Sequence, residues 1–262
     1  MQTVWKGSIS FGLVSIPVRL VSATEEKDIG FRQVHAKDGG RVKYKRICSI
    51  DGEEVPYSDI AKGYELADGA MVVLTDEDFA DLPVPTLKAV EVLSFVPADQ
   101  IDPLLLDKAY FADPTTDPKP YVLLRDTLIK SDKVAVVKIA LRQRERLATL
   151  RAQGDVLVLQ TLLWPDEVRV PDFGFLDGEV AVRPQEAAMA TSYVEALSED
   201  FTPGQFRDNY REALTELVDA KVAGREITAA APAEAGGNVL DLMEALRASV
   251  DAAKKDRIAS AQ

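Results

Sequence analysis

Apolar and polar residues alternate in short runs through most of the first 183 residues, and turn residues close each run. Alternating or β-branched stretches at 42–47, 71–74, 90–96, 134–141 and 156–162 carry the two-residue period of strands. Their spacing predicts an antiparallel barrel or sandwich. Two helical segments interrupt the pattern, one at 76–81 and one near 121–129, the second following Pro114, Pro118 and Pro120. From Pro184 the period lengthens: Met189, Tyr193, Val194 and Leu197 recur at helical spacing, as do Phe206, Tyr210, Leu214, Leu217 and Val218. The stretch AAAPAEAGG from Ala229 has no bulky apolar side chain to bury and reads as a flexible linker. An amphipathic helix is expected after it, with Val239, Leu242, Met243, Leu246 and Val250 on one stripe. The fold class is therefore mixed and mainly β. It is expected to comprise a core over 1–183, a helical arm over 184–228, a linker over 229–238 and a terminal helix over 239–262.

A chain of 262 residues that is 47% hydrophobic can build one large core or two smaller ones. No run approaches 18 uncharged apolar residues. The opening Met1-Gln2-Thr3-Val4-Trp5-Lys6 lacks the basic and apolar regions of a signal peptide, so a cytoplasmic protein is expected. A single cysteine, Cys48, and a single histidine, His35, leave no material for a disulfide framework or for a cysteine- or histidine-rich metal site. No metal or cofactor is expected.

Catalytic motifs are equally scarce. Gly7 and Gly12 lie in a strand-like segment with no following Lys-Ser/Thr pair, and Asp38-Gly39-Gly40 reads as a turn, so a nucleotide-binding loop is not supported. His35 has Asp38 nearby but reads as a strand residue beside that turn. Cys48, after apolar Ile47, reads as a small buried hydrophobe. Asp76, Glu77 and Asp78 suit the first turn of a helix. No enzyme is expected.

Charge changes the picture. The net charge is −12 and the pI about 4.7, yet two windows are cationic. Residues 32–46 hold Arg32, Lys37, Arg41, Lys43, Lys45 and Arg46 against Asp38 alone, a net of +5. Residues 130–151 hold Lys130, Lys133, Lys138, Arg142, Arg144, Arg146 and Arg151 against Asp132 and Glu145, again +5. The rest of the chain carries −22. Such elements bind phosphates while the remainder repels them. Alternation predicts a cationic hairpin for the first window. For the second it predicts one strand from Lys138 to Arg146, with Lys138, Arg142, Arg144 and Arg146 on one face. Solvated strand faces or edge protection would also place charge there, but neither requires Arg over Lys. The arginine forks suit phosphate oxygens, and no base-reading Asn or Gln cluster accompanies them, so backbone contacts with little sequence specificity are expected.

The segments TVWKGSISFGLVSIPVRLVSATE, FRQVHAKDGGRVKYKRIC, KGYEL, IALRQRERLATLR and NVLDLMEALRAS, in that order, resemble the bacterial Ku family across nearly the whole chain. The resemblance implies a Ku-type core β-barrel whose extended bridge arms form a dimeric ring, followed by a C-terminal helical region. It implies a non-enzymatic homodimer that threads onto double-stranded DNA ends, protects and bridges breaks, and recruits an ATP-dependent DNA ligase in non-homologous end joining. The chain begins in the barrel without the amino-terminal von Willebrand-like domain of eukaryotic relatives, as the bacterial form does. Arg41, Lys43, Lys45 and Arg46 match the family's basic hairpin; Lys138, Arg142, Arg144 and Arg146 match its bridge strand. With Arg32, Lys133 and Arg151 from the same windows they make up the expected DNA-binding set. The terminal stripe of Val239, Leu242, Met243, Leu246 and Val250 matches the ligase-recruiting segment. Only Lys254, Lys255 and Arg257 stand near the end at Gln262, where many members extend into a long Lys-rich tail, so the resemblance does not extend to tail-assisted DNA binding or threading. Two other readings are a single-stranded nucleic-acid or RNA-binding β-barrel scaffold, which would need more stacking aromatics than Tyr44, and a carboxylate-dependent hydrolase.

Overall fold

The alternating runs pair into a closed surface. The computed structural model describes residues 2–80, 88–142, 144–225 and 245–252. In chain order the elements are β1 (Thr3–Phe11), β2 (Val14–Ser22), β3 (Lys62–Glu65), β4 (Met71–Leu74), α1 (Asp76–Ala80), β5 (Ala89–Pro97), β6 (Leu106–Pro114), α2 (Lys119–Ser131), β7 (Lys133–Leu141), β8 (Arg144–Gln153), β9 (Val156–Leu162), α3 (Pro184–Leu197) and α4 (Asn209–Val222). Contacts divide the chain into two units, residues 1–27 with 31–170, and residues 28–30 with 171–262.

Seven strands close a barrel in the order β1-β2-β6-β9-β8-β7-β5. Neighbours are antiparallel except at the closing seam, where β1 runs parallel to β5 through Ser8↔Ala89, Ile9↔Val90 and Ser10↔Glu91. The seam depends on Gly7. A Cβ there would collide with the Lys88 carbonyl oxygen and the Trp5 indole, and the neighbouring Ser8 amide donates to that carbonyl at 2.8 Å. Period-two alternation sends Ile9, Ile16, Val18, Leu20, Val137, Ile139, Leu150 and Leu157 into one interior.

One end of this interior is closed by α2, which contributes Tyr121, Leu124 and Leu128 to the core. The Tyr121 hydroxyl donates to the Ala112 carbonyl at 2.8 Å and accepts from the Leu157 amide at 2.6 Å. Ala112 and Leu157 are register partners on β6 and β9, so the phenol ties that pair together. Burial pushes the Tyr121 hydroxyl pKa up, keeping it neutral. Lys119–Ser131 ends at Asp132 in a left-handed conformation, φ 51°, which turns the chain into β7.

The strands expected at 71–74, 90–96, 134–141 and 156–162 all form, and so do both predicted helices over their described residues. The 42–47 stretch forms no strand. It runs between two tight turns, at 35–40 and 48–53, that are closed only by the single bridges Val34↔Arg41 and Ile47↔Glu54 instead of a ladder. Cys48, just after it, is half-buried, not the fully buried hydrophobe expected. The helical pair after Pro184 is present, but its apolar stripes stay open: α3 buries no residue and α4 only Ala220. Of the terminal stripe, Leu246 and Val250 lie in a helical stretch with Val250 buried, while Val239, Leu242, Met243 and the 229–238 linker lie outside the described residues.

Gly7→Ala overfills the closing seam and is expected to destabilise the fold by about 1–3 kcal/mol. Urea unfolding of the variant checks this, and an unchanged midpoint would mean that the seam tolerates a side chain.

Candidate nucleic-acid interface

The first cationic window is shaped by its own turn. Asp38 Oδ1 accepts the Gly40 amide at 2.9 Å and its Oδ2 meets His35 Nδ1 at 2.9 Å. Gly39, at φ 71°, supplies the left-handed corner. The Gly40 amide, and then the His35 imidazole, hold the Asp38 carboxyl below the usual carboxylate range. The predicted turn therefore exists, with its hydrogen bonds internal. Beyond it, Lys45 Nζ binds Glu54 at 2.6 Å and the Arg46 guanidinium sits over the Tyr57 ring at 5.3 Å. Among the described residues, Arg32, Lys37, Arg41, Lys43 and Arg46 have no carboxylate within ion-pair distance. The window is thus an exposed loop with five of its six cations free for an outside anion.

The second window differs from the continuous strand expected. β7 ends at Leu141 and β8 begins at Arg144, with Leu141↔Arg144 paired, so the chain reverses in two residues. Arg142, at φ 50°, occupies the left-handed region that such tight hairpins require. Asn, Asp or Gly usually marks that position; Arg142-Gln143 does not, so the reversal leaves no trace in the residue types. The reversal also splits the row. Paired residues share a face, and Ile139↔Arg146 places Arg146 on the side of the buried Ile139. Arg144 and Arg146 therefore point to the inner face at the barrel end opposite α2.

Lys138 lies on the outer face. It pairs there with Glu145 at 2.9 Å and lies 5.8 Å from the Trp164 ring centroid. Lys133 and Arg151 stand at the α2 end: β7 starts at Lys133, and Arg151 is opposite Val158. The eleven expected residues thus form three groups, not one stripe. The arm holds Arg32, Arg41, Lys43, Lys45 and Arg46. The open barrel mouth holds Arg142, Arg144 and Arg146. Lys133, Lys138 and Arg151 are spread along the wall.

Sequence reasoning missed Lys108. It lines the mouth with the three arginines, on the same two-residue parity of β6 as the core-facing Tyr110 and Ala112. An isolated Lys between Asp107 and Ala109 carries no signal in the sequence. Among the described residues no group of three or more His, Cys, Asp or Glu side chains could hold a metal, and no helix is long and apolar enough to cross a membrane.

Residues 10–191 match the family model of the Ku70/Ku80 beta-barrel domain. The "Non-homologous end joining protein Ku" of Frankia casuarinae is 59% identical over 258 residues, covering 98% of this chain and 65% of that protein. Those of Mycolicibacterium smegmatis and Mycobacterium tuberculosis H37Rv are 50% and 45% identical over 264 residues, covering 97% of this chain and 83% and 97% of theirs. The chain thus spans just under two thirds of one relative and nearly all of another.

Arg142→Asn puts a residue suited to left-handed backbone at the hairpin tip and is expected to hold or raise the melting temperature while weakening binding to a polyanion such as heparin. A marked fall in melting temperature would show that the Arg142 side chain supports the hairpin itself.

Proposed function

The chain belongs to the Ku family, and from that membership we propose that it binds double-stranded DNA ends without sequence specificity in non-homologous end joining. In this reading two copies join their arms into a ring around the duplex. The ring protects and bridges breaks, and a C-terminal helix recruits an ATP-dependent DNA ligase.

One observation carries the homodimer: no described residue between Ser22 and Ala80 is buried. That arm nevertheless contains Phe31, Ile47, Tyr57, Ile60, Tyr64 and Met71, with Phe31 at 69% and Tyr57 at 78% exposure. An arm with no core of its own can offset its ordering entropy only by burying these groups against something else. A second copy supplies the same arm, as two-fold interfaces require. The cations interleaved with them, Arg32, Arg41, Lys43 and Arg46, then meet phosphates, and the closed shape makes the end of a duplex the point of entry. Binding by charge on the backbone needs no base-reading side chains. The protein acts here as a scaffold, not a catalyst.

The single-strand reading draws on Tyr44, 78% exposed between Lys43 and Lys45. Its hydroxyl, however, is hydrogen-bonded to Gln33, and the other aromatics exposed on the same arm, Phe31, Tyr57 and Tyr64, lie among the apolar groups that a second copy would cover.

The ring predicts binding to a linear duplex and none to the same sequence as a covalently closed circle at equal base-pair concentration. Equal binding to both would sink it in favour of an open groove. With about five phosphates met per protomer, the log–log salt slope is expected near roughly −9, and a slope near about −2 would remove the windows from the interface.

Removal of residues 239–262 is expected to leave linear-duplex binding intact and to abolish stimulation of the end-joining ligase in a ligation assay. Undiminished stimulation by the shortened chain would refute the partner role of that segment.

A further inference from the structure

The open end of the barrel holds a depression of about 270 Å³. Arg142, Arg144 and Arg146 line one side, Lys108 and Thr161 stand with them, and Tyr110 and Leu141 add apolar surface. Asp107 is the one carboxylate in the lining, so four cations face one anion. Its Oδ2 receives the Thr161 hydroxyl at 3.2 Å, while the Lys108 amide donates to the same hydroxyl oxygen at 2.9 Å. No carboxylate lies within 4.0 Å of the three guanidinium groups among the described residues. Like charges gathered in a concavity repel one another, and the apolar wall strengthens that repulsion by lowering the local dielectric. An anion with several free oxygens relieves it, and guanidinium forks match such oxygens two at a time.

The size narrows the ligand. The space falls below the usual range for drug-sized molecules and is far too small for a duplex. We propose that the barrel mouth is a binding pocket for a small phosphate group with free oxygens, of the monoester or diphosphate class, held by Arg142, Arg144, Arg146 and Lys108. This goes beyond the encircling of DNA, because the pocket lies at the end of one barrel and needs no second copy.

Isothermal titration of the full chain with inorganic pyrophosphate, at ionic strength balanced with chloride, tests the proposal. One saturable site per chain is expected. Arg144→Gln with Arg146→Gln should weaken it about tenfold or more, whereas Lys119→Gln, a cation on α2 at the other end, should leave it unchanged. Melting curves establish that each variant is folded. Should the double variant fail to fold, Lys108→Gln alone must still weaken binding. Absence of a saturable site, or equal loss in Lys119→Gln, overturns the pocket.

Linear-duplex binding measured on the same samples separates the two readings: retained duplex binding without a pyrophosphate site defeats only the pocket, and the reverse defeats only the ring. Competition identifies the source of the phosphate. Displacement of pyrophosphate by 5′-phosphorylated but not dephosphorylated duplex assigns it to a DNA terminus, which would rest on the end-binding reading; displacement by neither assigns it to a free anion.

Discussion

Closure of the barrel is the constraint on which the other features rest. A seven-strand sheet with a free edge would leave a row of unpaired amides and carbonyls, and its apolar face would remain partly wet. The parallel contact of β1 with β5 removes that edge, and it is made at only three register pairs beside Gly7. The Lys88 carbonyl can approach β1 because Gly7 has no side chain. With the seam closed, Ile9, Val90, Ile139 and Leu150 share one interior, and α2 seals one end through Tyr121. The opposite end has no such plug, so inward-pointing positions there meet solvent and carry arginine.

The arm obeys the opposite rule. Its hydrogen bonds are local turns, its ladder is the short β3–β4 pair, and its apolar side chains find no interior. A segment of that composition would be disordered on entropy alone unless another surface covered it. The same holds for α3, where Val194 and Leu197 are exposed along one stripe. Cations placed among uncovered apolar groups suit a surface that meets protein and phosphate together. The −22 carried by the rest of the chain keeps polyanions from settling elsewhere.

Much of this organisation is legible in the residues alone. Period-two runs marked strands at 71–74, 90–96, 134–141 and 156–162, and the change to helical period at Pro184 marked α3 and α4, because side-chain direction follows backbone period directly. The charge windows were plain, since charge is a property of composition. The five ordered motifs identified the family before any contact was known. The fate of 42–47 was not legible. Its alternation of Val42, Lys43, Tyr44 and Lys45 is that of a strand, but a strand needs a partner of matching length, and the turns at Asp38 and Asp51 bring back only single bridges.

Pairing decided the rest. The sequence by itself determined which residues are cationic, which are apolar, and the repeat at which they recur, because those depend on neighbours along the chain. It could not show that Lys138 and Arg146 lie on opposite faces, since that turns on a two-residue reversal at Arg142 with no Gly, Asn or Asp to announce it. Nor could it bring Lys108 to the arginines 34 to 38 positions away in the chain. Tertiary structure alone decided both, because a residue's face and its distant neighbours are set by the register of strands that meet only when the barrel closes.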